Sequence, residues 1–143
     1  MGLVLSPADN PFHNIGTIGS STYGLYGAYL PYIVTEIGLI VGQNGNGMLL
    51  ADGGTLGNGN VNAKTAMITG GCNGVVIGAV HRAAQYNGPA TVTNSGMISG
   101  FGFSGVVFDD AGGSVVNGSP SAARQNFCIP SLARTGPSTH GWP

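Results

Sequence analysis

Residues 91–107, "TVTNSGMISGFGFSGVV", carry no charged side chain, and Gly96, Gly100, Gly102 and Gly105 keep interrupting their apolar residues. Glycine and β-branched residues both weaken a helix, so the stretch does not read as one. It is also too broken for the long, evenly alternating strands of an open sheet. What remains is three short words: Val92-Thr93-Asn94, Met97-Ile98 and Val106-Val107. Strands of that length are not stable alone or as a hairpin, so each needs partners along its whole length.

Self-similarity supplies the partners. A small-x-Ile word occurs four times, at Gly16-Thr17-Ile18, Gly38-Leu39-Ile40, Ala66-Met67-Ile68 and Gly96-Met97-Ile98. Each is followed by glycine plus an apolar residue: Gly24-Leu25, Gly47-Met48, Gly74-Val75 and Gly105-Val106. A third word closes each unit with an apolar residue (Val34, Leu56, Val92, Val115) and, two places on, a polar one (Glu36, Asn58, Asn94, Asn117). The opening "FHNIGTI" aligns with "VTEIGLI" and "VTNSGMI", as if the chain began on the third word of a preceding unit. Three words in fixed order, four times over, are the signature of a repeat architecture.

The physics of that repeat is specific. Glycine and asparagine between words supply the sharp bends. Three strands and three turns make one coil, and the next coil stacks on it about 4.8 Å away in parallel register. The pattern therefore predicts an all-β chain, a right-handed parallel β-helix of about four three-stranded coils with irregular terminal segments. Ile18, Ile40, Ile68 and Ile98 should stack in one interior column and Val34, Leu56, Val92 and Val115 in another. Asn58, Asn94 and Asn117 should form a ladder of side-chain amides between neighbouring coils at a turn. Uneven coil lengths place insertions at turns, chiefly "GNVNAKTA" and "AVHRAAQYNGPA", the latter carrying His81, Arg82 and Tyr86.

Composition agrees and excludes several function classes. Charged residues make up 6% of 143 residues, against about 25% in an average globular protein, while 42% are hydrophobic. Four basic residues, Lys64, Arg82, Arg124 and Arg134, are too few to neutralise a nucleic-acid backbone. No apolar run reaches the roughly 18 to 20 residues of a transmembrane helix, and the first residues lack the pattern of a secretion signal. "MGLVLS" is only a short, common match to a myristoylation site.

The run from Gly38 to Gly118 resembles the repeats of bacterial autotransporter and adhesin-like passenger β-helices, which alternate V-T-N-x-G-x-I-x-G with G-V-x-[LIF]-x-x-G-G phrases. The resemblance covers about residues 12–118. It implies export, cell-surface display and a noncatalytic structural or adhesive role. Two departures qualify it, since neither an export signal nor the amphipathic strands of an outer-membrane barrel is present in the sequence. Residues 1–118 are thus expected to form the repeat domain, with 1–11 as a cap in which Leu3, Val4 and Leu5 lie on the first coil. Residues 119–143 change composition abruptly and read as a C-terminal cap, a disordered tail or sequence foreign to the repeat.

Candidate site residues follow from stacking. Asp52 and Asp110 occupy matching places after the second word in coils two apart, roughly 10 Å from each other. With His81 and Arg82 on the intervening coil they would suit a polysaccharide hydrolase or lyase, one acid protonating the leaving oxygen and a second activating water. Against this, Asp-Gly-Gly and Asp-Asp-Ala-Gly-Gly read as turns in which aspartate bonds its own backbone. Tyr23, Tyr26, Tyr29 and Tyr32 fall at a spacing of three, so strands of period two cannot bury them all, and the exposed ones would suit sugar stacking or protein docking. Cys72 lies in a turn and allows at most a bridge to Cys128. No metal site is expected, since the single aspartate of "GQNGNGMLLADGG" falls at the wrong offset for a calcium solenoid. No cofactor motif occurs. Coil ends offer a route to homo-oligomers by end-to-end stacking.

Overall fold

The computed structural model describes residues 2–78, 89–109 and 112–118. The first coil is β1 (Leu3–Leu5), β2 (Phe12–Asn14) and β3 (Thr17–Ser20). The second is β4 (Leu25–Gly27), β5 (Tyr32–Glu36) and β6 (Leu39–Gly42), and the third is β7 (Met48–Leu50), β8 (Gly54–Asn58) and β9 (Met67–Gly70). The fourth is β10 (Val75–Gly78), β11 (Ala90–Asn94) and β12 (Met97–Gly100), followed by β13 (Val106–Asp109) and β14 (Gly113–Asn117).

Like strands of successive coils pair in parallel, giving three sheets. Sheet A runs β1-β4-β7-β10-β13, sheet B runs β2-β5-β8-β11-β14, and sheet C runs β3-β6-β9-β12. This is a parallel β-helix of four complete coils and two strands of a fifth. Ile18, Ile40, Ile68 and Ile98 are direct register partners in sheet C. Phe12, Val34, Leu56, Val92 and Val115 are partners in the same way in sheet B.

The two columns and the inward residues of sheet A fill one continuous core. Leu25, Ile40, Met48, Leu50, Leu56, Ile68, Val75, Ile77 and Val92 have no solvent exposure. Coverage thins at the first coil, where Leu3 is 38% exposed while its partner Leu25 is fully buried. Residues 3–5 do not lie across the coil; they enter it as a strand in register with β4. A 3-10 turn, Pro7–Asp9, then leads towards β2, and the Ser6 N–H and hydroxyl both donate to Asp9 Oδ2 at 2.7 Å.

One interior position is unlike the others. The sheet A column Leu5–Gly27–Leu50 lacks a side chain at Gly27, and the Tyr32 ring occupies that space. A Cβ on Gly27 would lie 2.8 Å from the ring. Tyr32 is therefore a core residue, with its hydroxyl 3.1 Å from the Leu5 carbonyl and 3.3 Å from that of Ala28. Burial pushes its phenol above the ordinary range.

Candidate functional site

A three-sided coil has three edges, and what closes each one decides where a ligand finds free groups. The edge between sheets B and C is closed by a side-chain ladder. Asn14, Glu36, Asn58, Asn94 and Asn117 are successive register partners. Asn14 Nδ2 donates to Glu36 Oε2 at 2.8 Å, Asn58 Nδ2 to Asn94 Oδ1 at 2.7 Å, and Asn94 Nδ2 to Asn117 Oδ1 at 3.3 Å. The expected rungs Asn58, Asn94 and Asn117 are all present. Asn14 and Glu36 extend the ladder through two more coils. Their signal was the alignment of "FHNIG" with "VTEIG" and "VTNSG".

The edge between sheets C and A is closed by a second ladder. Asn46 Oδ1 accepts the Asn73 N–H at 3.2 Å and Asn73 Nδ2 at 3.1 Å, and Asn73 Oδ1 accepts the Ser104 N–H at 3.1 Å. The glycines that follow, Gly47 and Gly74, sit so close to the next coil that a Cβ would come within 2.6 Å of a carbonyl oxygen. Cys72, one residue before Asn73, is a free thiol 3.3 Å from the Asn44 carbonyl. Cys128 lies outside the described residues.

The edge between sheets A and B differs. In the second coil its turn holds Tyr29 at φ 78°, a left-handed conformation that is an outlier for a bulky residue. The Tyr29 N–H donates to Asp52 Oδ2 at 2.5 Å, from the matching turn of the third coil. The carboxylate thus holds the strained backbone in place, and the Tyr29 ring is 79% exposed. Tyr26 stands on the outer face of sheet A between Val4 and Leu49. Burial chiefly, then the nearness of Tyr29, Asp52 and Tyr23, raises its hydroxyl above the ordinary phenol range. Tyr23, Tyr26, Tyr29 and Asp52 form one cluster, and Tyr32 is separated from it in the core. Further along the same edge, Pro89, Ala90, Thr91, Gly112, Gly113 and Ser114 line an open depression of about 430 Å³.

Of the expected acid pair, Asp52 lies among the described residues, and its Oδ2 accepts the Tyr29 N–H of the preceding coil, a bond between coils and not the local turn bond expected. Asp110, His81 and Arg82 lie outside the described residues. In the sequence, Asp110 falls between β13 and β14, and His81 and Arg82 between β10 and β11. Among the described residues no three His, Cys, Asp or Glu side chains come together as metal ligands would, and no helix is long and apolar enough to cross a membrane.

The fold and its edges define the chain as a parallel β-solenoid. No family model, curated protein or solved structure matches it.

Proposed function

We propose that the chain is a noncatalytic structural or adhesive β-solenoid of the autotransporter-passenger kind, displayed at a cell surface, which binds neutral saccharides along the edge between sheets A and B. The observation that carries this reading is Tyr29. A backbone strained into the left-handed region costs of the order of 1–3 kcal/mol and persists only where its surroundings enforce it. Here the enforcing group is Asp52, and the outcome is a bare aromatic ring held out from a rigid scaffold. An exposed ring face suits the C–H face of a sugar, and the Asp52 carboxylate supplies acceptor oxygens for its hydroxyls. The scarcity of charge on the chain fits a neutral ligand better than an ionic one.

Calorimetric titration of the full chain with a panel of neutral oligosaccharides tests the reading. At least one should bind, and Tyr29→Ala should weaken it tenfold or more. Tyr29→Gly should abolish binding while raising the thermal midpoint, because glycine relaxes the left-handed turn. Absence of binding across the panel, or binding by either variant as tight as that of the parent chain, refutes the proposal.

A further inference from the structure

The ladder between sheets B and C contains one inconsistency, and it points to a proton. In the first two coils the side-chain oxygen of the rung accepts the N–H two residues on: Asn14 Oδ1 from Gly16 at 3.1 Å, and Glu36 Oε1 from Gly38 at 2.6 Å. In the third coil the insertion after Asn58 breaks that pattern. The N–H two residues on belongs to Asn60, and it is directed to the Ala63 carbonyl across the inserted loop. Asn58 Oδ1 is left without a hydrogen-bond partner, although Asn58 is wholly buried.

The orientation of the Asn58 amide is set by its other end. Its Nδ2 donates to Asn94 of the following coil and, at 3.1 Å, to the Met97 carbonyl. The oxygen is therefore turned back towards the preceding coil, where the register partner is Glu36. Two acceptors facing each other in a dry interior repel, and a buried acceptor left unmet costs about 1–3 kcal/mol. An ionised Glu36 would be the worst neighbour for that oxygen, and a protonated one the best.

We infer that Glu36 is a carboxylic acid in the folded chain and donates its O–H to Asn58 Oδ1, joining the second and third coils through an interior proton site. The proton comes from solvent. The carboxyl oxygens keep their bonds from Asn14 and Gly38, because a protonated carboxyl retains acceptor capacity. With it the ladder becomes continuous, each rung donating to the next coil from Asn14 to Asn117.

No cation competes for the carboxyl on the strands packed around it. On β2 the titratable group is His13, which is exposed and paired with the outward Thr35. Strands β3, β6, β8, β9, β11 and β12 carry no titratable side chain, and Lys64 is exposed in the inserted loop. Burial accordingly raises the Glu36 pKa, against the lowering effect of the bonds from Asn14 and Gly38.

The test follows the Glu36 side-chain carboxyl carbon by NMR against pH in the full chain. The carboxyl should still be un-ionised at neutral pH, its titration midpoint lying well above the ordinary glutamate value of 4.5. It should fall in Asn58→Leu, which removes the acceptor that favours the acid. Glu36→Gln keeps a donor facing Asn58, so at neutral pH its unfolding midpoint should equal or exceed that of the parent, whether or not Asn58→Leu folds. A Glu36 carboxyl already ionised at neutral pH, a midpoint unchanged in a folded Asn58→Leu chain, or a Glu36→Gln chain less stable than its parent at neutral pH overturns the inference.

Discussion

Ile68→Ala should be among the most damaging single truncations in this chain. Ile68 has no solvent exposure and lies between Ile40 and Ile98 in successive rungs of sheet C. Losing three carbon groups at about 0.8 kcal/mol each forfeits about 2.4 kcal/mol of transfer free energy. The void adds to that, because rungs held by hydrogen bonds on both sides cannot close over it. Gly47 already packs so tightly on Ile68 that a Cβ there would lie 2.9 Å from its Cγ2. With a cavity contribution of about 1–2 kcal/mol the total is about 4 kcal/mol, a large part of the 5–15 kcal/mol typical of a domain. Ile18 occupies the same column in the first coil but is only partly buried, so Ile18→Ala should cost about half as much. Urea unfolding monitored by far-UV circular dichroism gives both values. Equal losses at the two positions, or a loss below about 1 kcal/mol at Ile68, would refute the claim that these isoleucines form one close-packed column.

Three further outcomes are expected. Gly54→Ala should destabilise by about 3 kcal/mol or more, since Gly54 has φ 134° and a Cβ would meet the Tyr32 carbonyl oxygen at 2.2 Å, whereas Gly57→Ala, with nothing within 4 Å, should be close to neutral; thermal melts of the pair decide it. The unfolding free energy should be highest below the unfolded glutamate pKa and fall as pH rises through the raised pKa of Glu36. That fall should be missing from Glu36→Gln in denaturant titrations across pH. The exposed Asp9, whose pKa Ser6 lowers, acts in the opposite sense and in a lower window, with stability lost as pH falls below 3.8.

The interior of this fold was legible because its words are regular. A small-x-Ile phrase four times over dictates which residues stack, and the register of sheet C follows it residue for residue. The turns were less legible, because their chemistry depends on which coil lies above. Asn46 and Asn73 read locally as flexible turn residues, and only stacking turns them into a ladder. Tyr32 belongs in the core because Gly27 leaves a gap beside it, a match between residues that neither shows alone. The Asn58 oxygen loses its partner through an insertion, and that loss is visible only when the same turn is compared across coils. Leu3–Leu5 read as a cap from their apolar pattern, and their parallel pairing with β4 appears only in the structure.

The isoleucines that stack directly are separated by 22, 28 and 30 residues along the chain. Strand register is therefore indifferent to how much polypeptide leaves and returns at a corner. Doubling a flexible excursion costs only about 0.6 kcal/mol in closure entropy, far less than one misplaced isoleucine. A scaffold of this kind can trade the contents of its corners for new ones while the rungs beneath stay as they are.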